Sequence, residues 1–507
     1  IQHRMGSFFP SAWAAGTHST KYPLAPAGLL FSGDQNFDPR GTPSNYTHFM
    51  PRVGLAWDVF GDGKTSLRGG GGMFYDSRIS SVFYNIYSNA SPFITAFSVG
   101  SVVGSTAANS TVMNFTNPYS STGNPNPFPA PQPPPNTSPI PTQAFLSFDP
   151  YRGFSTPVTY AWNLALEQKV TTNLLARIAY VGTHASHQWS PVELNPILNA
   201  DATTTSSTAG RRLYNASTLY SGSSCVANNC YSQPITDYNM GSNALYNSLQ
   251  TSLEQRVTNG LTLLLNYTWS KSIDGSPYNQ ASTSIGSGNS FVLPIYEPNF
   301  KRLDHGPSDF DHRNIIAASF VYKLPRMMQD GPSGLRYLVN GWQTSGLLLT
   351  RSGDPLTVTA NNSNGSGSGQ NRDRAVFLGG NPYGGSACPA TAHCKNWLNA
   401  AAFSANVQTA GQPVNYGNVA KGSFTGPRYT DVDMAVTRDF PFAESTALQF
   451  RAEYFNIFNH TNFGDPNTTL NGTFGEITGT GPALALGSGN STSNDPRIAQ
   501  FSLKLNF

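Results

Sequence analysis

Eleven stretches of this chain alternate apolar and polar residues with a period of two, and the last is the cleanest. Residues 497–507 read RIAQFSLKLNF. In an extended chain, Gln500, Ser502, Lys504 and Asn506 fall on one side, and Phe501, Leu503, Leu505 and Phe507 on the other. The same alternation predicts strands over 52–60, 65–76, 160–170, 174–182, 245–257, 261–270, 313–323, 340–351, 428–439 and 447–458. In most, one face is dominated by Leu, Val, Ile, Ala and aromatic residues, Asn340–Arg351 being the least clean. The other carries Arg177, Glu254, Arg256, Asp431, Asp433, Arg451 and Glu453 among Ser, Thr, Asn and Gln.

The connections between these strands alternate between short and long. Gly61–Lys64, Thr171–Asn173, Thr258–Gly260 and Phe440–Ser445 are turn-sized and 324–338 is a longer connection; 77–155, 184–243, 272–311 and 352–426 are long. A soluble sandwich has no reason to put every long loop at one end, and structureless loops of that length argue against a compact soluble domain. An antiparallel transmembrane β-barrel has such a reason: short turns on one side of the membrane, long extracellular loops on the other, lipid outside and water inside. The fold expected is therefore all-β, a barrel or part of one. Trp57, Tyr75, Trp162, Tyr180, Trp269, Tyr322 and Trp342 fall at or near strand ends, as interfacial aromatics do.

Composition agrees. Charged residues are 11% of 507, against roughly 25% in an ordinary soluble domain. No apolar run approaches the ~20 residues of a spanning helix, and a mean hydropathy below zero does not exclude a barrel, which exposes apolar residues only at alternate positions. A net charge of +3 over this length gives no basis for a nucleic-acid partner.

Few residues point to chemistry. Gly63-Lys64-Thr65 resembles the tail of a phosphate-binding loop, but position 58 is Asp where that loop needs Gly, so a hairpin turn is expected. The run Gly69–Gly72 within a strand marks a bulge, a close backbone neighbour or plain curvature. Asp309 to Asn314 is the densest charged cluster, read as a strand entrance with internal ion pairs. No catalytic or metal motif is found, and neither cofactor nor enzyme activity is expected. Cys225/Cys230 and Cys388/Cys394 form two tight pairs in Ser/Gly/Asn-rich stretches. Local disulfides in an oxidising compartment are the preferred reading; free thiols and a metal site are the alternatives, although zinc spacing is not met.

Several segments then carry a more specific likeness. PRVGLAWDVFGDGKTSLRGGGGMFYD at 51–76, ALYNSLQTSLEQRVTNGLTLLLNYTWSKSID at 244–274 and SDFDHRNIIAASFVYKLP at 308–325 resemble the barrel of TonB-dependent outer-membrane receptors, in particular the Oar-like branch. So do NGWQTSGLLLTRSGDPLTV at 340–358, RAEYFNIFNHTNFGDP at 451–466 and the terminal strand. The resemblance implies a wall of about 22 strands, an amino-terminal plug, and energy delivered through a periplasmic TonB contact. It implies an outer-membrane location, lipid and the barrel-assembly machinery as partners, and Phe507 as the terminal aromatic that machinery recognises. It implies a transported ligand of unknown identity. No plug and no early strands are recognised, so residues 1–507 are expected to be the carboxyl-terminal portion of such a barrel. The eleven strands should then form an open curved sheet, or close only with strain. A passive porin or an adhesion barrel is the alternative; a secreted carbohydrate-active enzyme would need paired carboxylates in a cleft.

Overall fold

The computed structural model describes residues 6–35, 37, 46–76, 145–148, 155–197, 212–214, 231, 235–258, 260–275, 300–361, 372–385, 395–405, 415–442, 446–480 and 496–507. Its centre is one antiparallel sheet in which eleven strands follow one another in chain order. They are β1 (Arg52–Asp58), β2 (Thr65–Tyr75), β3 (Val158–Thr171), β4 (Leu174–Glu193), β5 (Ile235–Thr258) and β6 (Leu261–Asp274). They continue as β7 (Asn314–Lys323), β8 (Trp342–Arg351), β9 (Tyr429–Pro441), β10 (Ala447–Phe455) and β11 (Ile498–Asn506). Two short strands, Phe145–Phe148 and Gly306–Pro307, attach to β5 and β6. The order is a plain meander, so every neighbour on the path is a hairpin partner. No ladder joins β1 to β11 among the described residues; the sheet is open, with these two strands as its edges.

The register shows why each sequence segment takes its place. In the β1–β2 turn, the Asp58 carboxylate accepts from the backbone N–H of Gly61 (3.1 Å) and Gly63 (2.9 Å), and Asp62 accepts from Lys64 (3.0 Å). Gly61 and Gly63 both have positive φ, which their lack of a Cβ permits. Gly69 to Gly72 pair regularly with β1 and β3 and carry no bulge. Elsewhere a glycine leaves a notch that the residue directly opposite fills. The Trp162 ring covers Gly182, where a Cβ would stand 2.5 Å from the indole nitrogen, and Phe320 covers Gly346 in the same way.

The strands differ from the sequence expectation mainly in length. β4 and β5 run on past 182 and before 245 as a long two-stranded extension, with register shifts around Gln188. Alternation fades there because Ser, Thr, His and Asn fall on both faces.

Two folded lobes sit beyond the long-loop end of the sheet. In the first, Phe8, Tyr22, Leu29 and Phe31 from the start of the chain pack with Val192, Leu194, Tyr214, Tyr231 and Ile235. Asp34 ties its loop together, accepting from Ser19 Oγ (2.6 Å), Thr20 Oγ1 (2.6 Å) and the N–H of Phe31 (2.8 Å). The second lobe packs Leu356, Val358, Ala375, Leu398, Phe403, Phe424 and Phe474. Its ladders are two or three residues long, such as Pro355–Leu356 with Phe424–Thr425 and Lys395–Asn396 with Glu476–Ile477.

Candidate functional site: a polar wall and a loop pocket

Directly paired residues share a face of a sheet, so the register alone groups side chains. Glu167 pairs Arg177, Arg177 pairs Ser252, Ser252 pairs Asn266, Asn266 pairs Ala317, Ala317 pairs Leu349 and Leu349 pairs Asp431. Ala435 then pairs Glu453, and Glu453 pairs Gln500. Counting by twos from these, Arg177, Glu254, Arg256, Asp431, Asp433, Arg451 and Glu453 all lie on one face. Glu167 and Arg68 join them, at alternating polar positions of β3 and β2.

The charges on this face neutralise one another locally. Glu167 lies 3.5 Å from Arg177 and 3.6 Å from Arg68, Arg256 donates to Glu254 at 2.8 Å, and Arg451 donates to Glu453 at 2.6 Å. Asp433 accepts from the backbone N–H of Asn456 (2.9 Å). The face is not uniformly polar, since Leu175, Leu264 and Leu347 share its register. The opposite face is apolar, with Val53, Leu55, Leu164, Leu265, Trp269, Phe501 and Leu503 exposed on it. Phe507, beyond β11, is 95% exposed. Cys225, Cys230, Cys388 and Cys394 lie outside the described residues.

The second lobe holds a pocket of about 480 Å³, lined by Tyr383, Gly384, Lys395, Asn396, Trp397, Thr425 and Gly426. Its two rings are nearly perpendicular, with centroids 6.3 Å apart. Thr425 fixes both: its N–H donates to Tyr383 Oη (3.0 Å), and its carbonyl accepts from Trp397 Nε1 (2.8 Å). Lys395 Nζ stands 4.3 Å from the centre of the Phe463 ring. Apolar ring surface beside a few oriented polar groups is the usual make-up of a small-molecule site.

Behind Gly426 lies a charged cluster. A Cβ on this glycine would meet Asp465 Oδ1 at 2.6 Å, so the carboxyl abuts the pocket backbone. Burial and the neighbouring Asp354 push Asp465 up to about 7, against the pull of Arg351. Arg351 contacts His312 and lies 3.4 Å from Asp354. Burial and the Arg351 guanidinium hold His312 below its ordinary value; Asp354 opposes them. Asp311 Oδ1 accepts from the N–H of Ser272 (2.6 Å), fixing the approach to β7. Two further cations are buried where the lobe meets the sheet: Arg374 pairs with Asp304 (2.6 Å), and Lys421 with Asp274, with Asp309 at 3.9 Å.

Comparison with known sequence families agrees with this architecture. The sequence model of the family described as "Outer membrane beta barrel domain" matches residues 2–500. No curated protein matches. Among solved structures, the outer membrane transporter YddB from Escherichia coli aligns at 12% identity and a TM-score of 0.40, covering 90% of this chain and 40% of that one. A ferric enterobactin receptor from Pseudomonas aeruginosa aligns at 11% identity and a TM-score of 0.40, with the same coverages. The FrpB iron transporter from Neisseria meningitidis aligns at 9% identity and a TM-score of 0.34, covering 90% and 39%. The chain thus spans about two fifths of the length of these solved chains. A match over nearly the whole sequence shows that the chain belongs to the outer membrane beta barrel domain family, a component of the bacterial outer membrane.

Proposed function

We propose that this chain forms wall and loops of a TonB-dependent receptor and transporter of the Oar-like branch. The observation that carries the reading is the open sheet: eleven hairpin-linked strands with opposed apolar and polar faces, and both folded lobes at the long-loop end. Edge strands in lipid leave backbone groups unpaired at several kcal/mol each. On this reading β1 and β11 pair with strands from another part of the same protein, which also supplies the plug and the TonB contact. The polar face lines the lumen, where Arg177, Glu254, Arg256, Asp431, Asp433, Arg451 and Glu453 meet water. The apolar face meets lipid. The Tyr383–Trp397 pocket is the recognition surface offered to a ligand outside the cell. Phe507 is read by the barrel-assembly machinery, and the two cysteine pairs are disulfides in loops on the extracellular side.

Liposome swelling tests this reading against a passive pore. The parent protein, purified from outer membranes, should give no swelling with small sugars, because a plugged barrel does not leak. It should also be captured by the periplasmic domain of TonB. Free sugar flux together with no TonB capture would overturn the proposal.

A further inference from the structure

A second cavity, of about 470 Å³, opens at the long-loop end of β6 to β9, lined by Tyr267, Asn314, Thr350, Arg351, Ser352 and Arg428 among others. Its place relative to the two faces follows from the register. Tyr267 pairs Ile316, Ile316 pairs Thr350 and Thr350 pairs Thr430, all on the apolar face. Arg428 stands two residues before Thr430 and shares that side. The cavity is therefore cut into the apolar face, not the polar one.

Most of its polar groups are already engaged. Tyr267 Oη donates to Asn314 Oδ1 (2.8 Å), the N–H of Asn314 donates to Ser352 Oγ (3.0 Å), and Thr350 Oγ1 donates to the Tyr429 carbonyl (3.0 Å). Arg351 is committed to His312 and Asp354. Arg428 is exposed, and it has no hydrogen-bond or ion-pair partner among the described residues. Lys271, on the same face, is likewise exposed and unpaired. It lies on β6, three strands from β9 and two residues beyond Trp269, and so roughly 16 Å away at ordinary strand spacing and rise. Trp269, 53% exposed, pairs with Asn314 and so stands level with Arg428 at the edge of the apolar belt. By contrast Arg438, on this face at the opposite end of the sheet, is enclosed by Tyr337, Trp342 and Phe440.

We infer that the Arg428 cavity binds the phosphorylated sugar headgroup of lipopolysaccharide, with Lys271 reaching a second phosphate. The inference rests on the reading above that the apolar face meets lipid. An unpaired guanidinium at the lipid boundary is favourable when an anion meets it, and phosphate matches its forked donors. At the long-loop end of an outer-membrane barrel the adjoining leaflet is the outer one, whose anionic headgroup is diphosphorylated glucosamine. The acyl chains would lie along Ile316 and the apolar belt below.

Native mass spectrometry of the full parent protein with added lipid A tests this. Wild type should retain lipid A and should not be displaced by dephosphorylated lipid A, phosphatidylglycerol or inorganic phosphate. Arg428→Gln should lower retention roughly tenfold, the usual range for a charge-assisted hydrogen bond. Arg428→Lys should recover part of it, and Lys64→Gln, at the short-turn end, should change nothing. Displacement by dephosphorylated lipid A from wild type, or equal retention by wild type and a folded Arg428→Gln, overturns the inference. A bromolipid-quenching probe attached at Leu265→Cys separates the two readings. Quenching with unchanged lipid A retention rejects the headgroup site alone; no quenching rejects the lipid-facing assignment beneath it.

Discussion

Trp342 and Arg438 face each other across the β8–β9 ladder, with the guanidinium carbon 5.7 Å from the indole ring. Phe440 closes the same cation from 4.6 Å, and Tyr337, on the helix Ser333–Val339, lends its carbonyl. The helix and three rings thus screen a charge that sits on the apolar face at the short-turn end. Two of its nitrogens, Nε and Nη1, have no hydrogen-bond partner. We expect Arg438→Met to be neutral or stabilising, as replacing a buried charge by an apolar group often is. Trp342→Ala should cost about 3 kcal/mol, since it removes a large ring and opens the charge to lipid. Urea unfolding in lipid vesicles measures both; a larger loss for Arg438→Met than for Trp342→Ala would contradict the screening role.

The two faces should differ in their tolerance of charge. Leu263→Arg or Phe450→Arg should destabilise the barrel by ~2–4 kcal/mol if the position lies at mid-membrane. Glu254→Gln loses one partly exposed ion pair with Arg256 and should cost about 1 kcal/mol or less. Equal effects on assembly, followed by heat-modifiable gel mobility, would show that the faces are wrongly assigned.

The Asp465 cluster should make the second lobe sensitive to pH in two opposed ways. A carboxyl raised in the folded state binds its proton more readily there. The stability it contributes is therefore present at low pH and is lost as pH rises from the ordinary carboxylate range through about 7. His312 is lowered instead, so its contribution is present above its ordinary value and is lost as pH falls through its folded value. Arg351, Asp354 and Asp311 are the other charges that face the pair. In Asp465→Asn only the His312 dependence should remain, with protection rising with pH. In His312→Gln only the Asp465 dependence should remain, with protection falling with pH. Hydrogen exchange of the amides at 419–426, corrected for intrinsic rates, reads each case; the same profile in both variants would refute the assignment.

Gly426 should tolerate no side chain while Asp465 is present. Gly426→Ala drives a methyl to within 2.6 Å of a carboxylate oxygen and should destabilise the lobe by about 1–3 kcal/mol. The double variant Gly426→Ala with Asp465→Ala should recover most of that loss, because the two sites share one space. Thermal unfolding of the four proteins in the cycle gives the coupling energy, and simple additivity would disprove the contact.

Sequence alone disclosed the wall because half-buried strands leave a period-two record, as at Leu261 to Trp269 and Leu448 to Tyr454. The ends of β3, β7 and β8 were also close, lying within two residues of where the alternation stops. The extension of β4 and β5 was not legible: neither face of 183–193 is consistently apolar, so nothing distinguishes a strand there from a polar loop. The second lobe was hidden for another reason. Its ladders are too short to show a period, and its core joins Leu356, Phe403 and Phe474 from separate loops. Asp465 reads as an ordinary loop carboxylate; only the fold brings Asp354 and Gly426 beside it. The residues on the polar face were legible as a set, but the pairing of Arg68 with Glu167 required the register.

The β4–β5 extension has a consequence for what meets the protein first. Twenty residues of strand at ~3.3 Å each reach roughly 65 Å, and only about half of that is needed to cross a bilayer. If the apolar face meets lipid as proposed, the remainder would carry Leu194, Tyr214 and their packed neighbours clear of the bilayer on the long-loop side. A bulky ligand approaching from that side would then meet this lobe before it reached the mouth of the wall.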